Sequence, residues 1–145
     1  MLALLLLSAS LSAQVRIVLP KRHYQSQEQI PAKLENMTSG PVTVCVGFGQ
    51  WVPKGGTIES TPSPFFVEQI DDGKWSFLLN SPDFGSNSQP VKVDAGKSMQ
   101  FHFRLNGAGI MRLRLDYWIG SRSDVKCNGP RKDTKHLFSE TFSLG

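Results

Sequence analysis

The chain has 145 residues, a formal net charge of +4 and two cysteines, with 39% hydrophobic and 10% aromatic residues. That length is the content of a single domain and buries a core without a metal or several disulfides. The basic excess, with a sequence pI near 9.3, lacks the interleaved aromatic platform of a nucleic-acid binder, and nucleic acid is not expected as a partner.

The chain opens with an apolar run, Leu2 to Leu7, followed by small residues up to Ala13. This is the order of a secretory h-region and its cleavage site, so residues 1–13 are expected to be a signal peptide cut after Ser12 or Ala13. The usual charged n-region is missing from this start. The run is too short for the roughly 20 apolar residues of a membrane span, and no transmembrane anchor is expected. Residues 14–145 are then one exported domain, periplasmic or extracellular. In such a compartment Cys45 and Cys127 are expected to pair, in the one connectivity that two cysteines allow. The alternative is two buried thiols.

Strand periodicity recurs along the rest of the chain, and no helical period of useful length appears. Val15, Ile17 and Leu19 form a first alternating strand that Pro20 stops. Ile30, Ala32 and Leu34 form a second, where Pro31 points to an edge or a bulge. The turn cluster 36–41 leads into Val42, Val44, Val46 and Phe48, and these two strands are expected to pair as a hairpin. On that alternation Cys45 faces outward, so a bond to Cys127 requires the later loop to fold over the outer surface of the sheet.

Residues 50–64 are rich in proline and glycine and read as a loop. Phe65 to Asp71 and Lys74 to Asn80 flank Asp72-Gly73, a dipeptide suited to a two-residue type I′ hairpin. That register sets Ile70 opposite Trp75, Glu68 opposite Phe77 and Phe66 opposite Leu79, with Glu68 the odd member. Residues 81–90 read as loop. Met99, Phe101, Phe103 and Leu105 give a further strand, and 106–109 turn the chain. Met111, Leu113, Leu115, Tyr117 and Ile119 then face inward, while Ile110, Arg112, Arg114, Asp116 and Trp118 face outward. After a polar loop over 120–135, Phe138, Phe142 and Leu144 mark a last strand in which Glu140 indicates a bulge or an edge. Strands of this number separated by turn signals predict an all-β, two-sheet immunoglobulin-like sandwich of about seven to nine antiparallel strands.

The strings Ile30-Pro31-Ala32-Lys33-Leu34-Glu35-Asn36 and Pro41-Val42-Thr43-Val44 resemble the opening strand pair of bacterial immunoglobulin-like and fibronectin-like modules. The strand starts at Asp94-Ala95-Gly96-Lys97 and Gly109-Ile110-Met111-Arg112-Leu113 and the final Phe138-Ser139-Glu140-Thr141-Phe142 continue the likeness in order. The layout is also similar to that of proteinase-inhibitor domains of the BsuPI type. The resemblance implies the fold and carries no functional residues, because fold alone does not specify activity. It implies a bacterial source.

The candidate functional residues follow from parity and charge. Between Arg104 and Lys135 stand eight basic residues against three acidic ones. His102, Arg104, Arg112, Arg114 and Trp118 are the expected binding face, since tryptophan and arginine are enriched at interface hot spots. Its partner is expected to be a protein or an anionic glycan or envelope surface. The competing reading is that the 120–135 loop, pinned by Cys127, covers Trp118. Trp51 is a second candidate exposed aromatic. His23, His102 and His136 have no metal-ligand spacing, and Met99 and Met111 alternate into the core, so neither a metal nor a cofactor is expected. No nucleophile elbow or carboxylate pair qualifies as a catalytic constellation, and the expectation is a non-enzymatic binding module. The alternatives are a protease inhibitor that presents the 50–64 loop and a small envelope enzyme. Asn36-Met37-Thr38 is a glycosylation sequon or a plain turn.

Overall fold

The computed structural model describes residues 13–47, 50–51, 59–60, 64–78, 88–127 and 132–145. The leader reading, Leu79 opposite Phe66, and most of the 50–64 loop lie outside the described residues. Among them there is no helix, and so none long and apolar enough to cross a membrane.

The strands in chain order are β1 (Val15–Val18), β2 (His23–Tyr24), β3 (Gln29–Asn36), β4 (Val42–Gly47), β5 (Gln50–Trp51), β6 (Glu59–Ser60), β7 (Phe65–Asp71), β8 (Lys74–Phe77), β9 (Ser88–Val93), β10 (Ser98–Arg104), β11 (Gly109–Ile119), β12 (Lys135–Phe138) and β13 (Phe142–Leu144). They build an all-β sandwich of a three-stranded sheet, β1-β3-β10, against an eight-stranded one, with β5 and β6 paired apart. The segments outnumber the expected strands because several have two residues and because the last strand is broken into β12 and β13. Pairing is antiparallel throughout except for β2 beside β13.

The eleven-residue β11 is the spine of the larger sheet. One of its sides carries β13 and then β12, and the other carries β7 over Met111–Leu115 and β4 over Tyr117–Ile119. The alternation read from the sequence accounts for the core: Ile30, Leu34, Phe103, Met111, Leu113 and Leu115 are at most 1% exposed. Phe65 of the larger sheet meets Phe101 of the smaller one edge-on, with ring centroids 5.4 Å apart. Burial of these apolar faces between two sheets is the main favourable contribution to folding.

The β7–β8 hairpin forms in the expected register, with Ile70 opposite Trp75 and Glu68 opposite Phe77. Asp72 and Gly73 take positive φ angles of 47° and 74°, as a type I′ turn requires.

The expected β3–β4 hairpin is corrected. β3 pairs with β1 and β10, whereas β4 pairs with β9 and β11, so the turn cluster is an arch that carries the chain from one sheet to the other. Asn36 fixes that arch. Its fully buried side chain donates from Nδ2 to the carbonyls of Gly40 and Val93, both at 2.9 Å, and its Oδ1 accepts from the Thr38 N–H and hydroxyl. The sequon at Asn36 is thus a buried structural turn. The loop reading of 81–90 is also corrected, because β9 begins at Ser88. Among the described residues β9 pairs with β4 alone, an edge position that accommodates Pro90. Pro31 sits in a central strand, but β1 reaches only as far as Lys33, so among the described residues Pro31 has no ladder partner on that side.

The last strand carries the expected bulge. Ser139 keeps the ladder through it, donating its N–H to Leu113 O and accepting the Leu113 N–H on Oγ, both at 2.8 Å. The bulge changes parity, so Leu137 packs on the core and Phe138 points outward at 46% exposed. Ile119, read as inward, lies at the end of β11 and is 58% exposed.

Candidate functional site

The five residues of the expected face do not lie together. His102 and Arg104 are exposed on β10 of the smaller sheet, and Arg104 Nη1 donates to Gln27 O at 2.7 Å. Arg112, Arg114 and Trp118 line the outer side of β11, across the core from them.

Trp118 is not an exposed aromatic. It is 2% exposed, and its Nε1 donates to Lys132 O at 2.9 Å. The covering segment is fastened to the outer side of β4 at two successive outward positions. Thr43 Oγ1 donates to Gly120 O and accepts the Arg122 N–H, and Cys45 bonds to Cys127 with Cα atoms 5.6 Å apart. Cys45, Cys127 and Trp118, with Phe66 and Val125 against them, form a second small core outside the sheet. The loop folds over the outer face because outward residues at 43 and 45 give it both a hydrogen bond and a covalent tie.

The exposed part of the outer face is a ladder across β8, β7, β11 and β12. Arg112 lies between two rings, with Cζ 4.2 Å from the Trp75 centroid and 3.8 Å from that of Phe138. Its Nε and Nη2 both donate to Glu68 Oε1, at 3.2 and 2.8 Å. Glu68 is 6% exposed and directly opposite Arg112 in the ladder. The hairpin register is therefore right, and the odd member is the buried anchor of an arginine. Two residues further along β11, on the same face, Arg114 Cζ stands 5.6 Å from the Phe66 centroid and 5.7 Å from that of Phe77. Arg114 Nε donates to Asp116 Oδ1 at 3.1 Å, and His136 Nδ1 meets the same oxygen at 2.6 Å. The rim is apolar: Phe77, Phe138 and Ile110 are 44–46% exposed. Beside it a groove of about 640 Å³ runs along the bulge, lined by Ile110, Arg112, Phe138 and Phe142.

Parity alone placed Arg112 and Arg114 on this face; Trp75, Phe77 and Glu68 were legible only as hairpin partners, and Phe138 only through the bulge. Among the described residues no group of three or more His, Cys, Asp or Glu side chains is placed to hold a metal ion. Three arginines of the basic segment carry carboxylates from within the chain. Arg112 pairs with Glu68, Arg114 with Asp116, and Arg122 holds Asp124 through two bonds of 2.8 and 2.9 Å. The Arg122 hydrogen bonds keep the Asp124 carboxyl below the ordinary carboxylate value.

No protein-family model matches the chain, and no curated protein matches it. The molecule is an all-β sandwich, a fold compatible with an immunoglobulin-like domain.

Proposed function

We propose that the chain is an exported, immunoglobulin-like binding module whose contact surface is the outer face of β8, β7, β11 and β12 and whose partner is a protein. The reading rests on one observation: Arg112 is stacked between Trp75 and Phe138 and neutralised by buried Glu68, which leaves an ordered, charge-compensated patch with an apolar rim. Interfaces concentrate binding energy in ordered aromatic and arginine side chains, because little entropy is lost when they dock. A polyanion would select free cations, whereas these guanidinium groups already carry internal carboxylates, and a protein surface suits the patch better than an anionic glycan. The close Cys45–Cys127 pair supports an oxidising compartment.

The test is site-specific photocrosslinking of the full chain in its native cells, with a photoreactive phenylalanine at Phe77, Phe138 or His102. A discrete protein adduct from positions 77 and 138 and none from 102 is expected. Adducts from 102 alone, or retention on heparin that is lost in Arg112→Ala, would overturn the reading. The same preparation reports export: an intact mass short of the first 12 or 13 residues supports it, and a retained leader refutes it.

A further inference from the structure

Two strand edges face each other along one side of the sandwich. β1 pairs with β3 in the smaller sheet and β12 with β11 in the larger one, and no ladder joins β1 to β12, although Cα atoms of the two strands come within 8 Å of each other. A groove of about 570 Å³ runs between them, lined by residues 14–19 on one side and by Leu137 and Phe138 on the other. The backbone groups that face this groove follow from the two ladders. Met37 donates its N–H to Gln14 O at 2.9 Å, and bonded pairs alternate in an antiparallel ladder. Arg16 and Val18 therefore bond to β3, while Val15 and Ile17 turn their N–H and C=O groups to the groove. On β12, Ser139 donates its N–H to Leu113 O, so Leu137 bonds to β11 while His136 and Phe138 turn theirs to the same groove.

We propose that β1 and β12 zip together in parallel, Ile17 beside Leu137, in a closed state of the sandwich that removes this groove. The register continues one that already exists. β2 pairs in parallel with β13, His23 beside Ser143 at a separation of 120 residues. The same separation lays Val15–Val18 along Lys135–Phe138 from end to end. In a parallel ladder a residue bonds to the two residues that flank its neighbour, so the Ile17 N–H meets His136 O and the Phe138 N–H meets Ile17 O. These are the groups that face the groove. Side-chain parity agrees: Ile17 and Leu137 both pack on the core, whereas Arg16, Val18, His136 and Phe138 point outward. A slip of one residue would set a core side chain beside an outward one. Bonded strands lie about 4.8 Å apart, so the nearest Cα pairs have no more than about 3 Å to close. Charge permits the contact, since Arg16 keeps Glu35 at 2.5 Å, His136 keeps Asp116 at 2.6 Å, and Val18 meets Phe138. Open strand edges invite foreign strands, and this seam removes two of them at once. It is a backbone feature, independent of any partner on the outer face.

Disulfide trapping in the full chain tests the seam. Arg16→Cys with His136→Cys sets two thiols directly opposite in the closed register, whereas Arg16→Cys with Phe138→Cys sets them on a diagonal, beyond the Cβ separation of a disulfide. The first pair is expected to crosslink at least about tenfold faster than the second under mild oxidation. Equal rates, the reverse order, or no crosslink from either pair would overturn the proposal. Where a variant fails to fold, the unaltered chain decides. A scalar coupling across a hydrogen bond, from Phe138 N to the Ile17 carbonyl carbon, is expected in isotope-labelled protein, and its absence refutes the seam.

Discussion

Asn36, read as a turn residue, and Glu68, the odd member of its hairpin, both organise what surrounds them. Asn36 uses both amide hydrogens and its oxygen on three other residues, and so fixes where the chain leaves one sheet for the other. Glu68 accepts twice from Arg112 while 6% exposed. Removing the arginine alone strands a buried carboxylate; removing both leaves an apolar patch. Arg112→Leu is accordingly expected to lower stability by about 2 kcal/mol in urea denaturation, and Arg112→Leu with Glu68→Leu to recover most of that loss. Equal losses in the single and double variants would show that the pair contributes through ring packing and not through charge.

At the scale of elements, what was legible depended on how local the determinants are. The β7–β8 hairpin was readable to the residue, since Asp72-Gly73 and the flanking alternation lie within one stretch of chain. The sheet assignment of β3 and β4 was not readable, because a turn cluster serves a hairpin and an arch equally. The deciding contact, Asn36 to Val93, spans 57 residues. β9 went unseen because Pro90 and its polar neighbours give a weak strand signal, and the bulge at Ser139 redirected Phe138 without a change in composition. The outward parity of Cys45 and Trp118 was legible; whether a loop covers them was left open, since that depends on a bond spanning 82 residues. Replacing Cys45 and Cys127 by serine is expected to cost about 3–4 kcal/mol, with the loop-closure entropy as the main cause. The same variant is expected to shift tryptophan emission to the red as Trp118 becomes hydrated, a shift that Trp118→Phe abolishes. An unchanged spectrum would mean that the Thr43 contacts hold the loop unaided.

For the whole molecule, the ionisable groups define a stability window. Hydrogen bonds from Arg16, and then from Lys33, hold the Glu35 carboxyl below its ordinary value of 4.5, and the Lys21 side chain with the Gln25 N–H does the same for Glu28. Groups lowered in this way contribute fully above the unfolded value and lose their contribution as pH falls through the folded one, so stability declines below about pH 4.5. Burial raises the Tyr24 phenol above its ordinary value of 10.0. Its contribution is complete below that value and is lost as pH rises through the folded one. Urea midpoints measured against pH are expected to form a plateau between these limits. A decline that begins near neutrality would show that these carboxylates do not set the acid limit.

The single covalent tie also bears on how the molecule is made. β3 and β4 are adjacent in sequence but belong to opposite sheets, so neither sheet closes until distant segments meet, and assembly by such non-local contacts is slow. With only Cys45 and Cys127 in the chain, intramolecular oxidation has one possible product. The protein's maturation therefore calls for an electron acceptor and not for an isomerase.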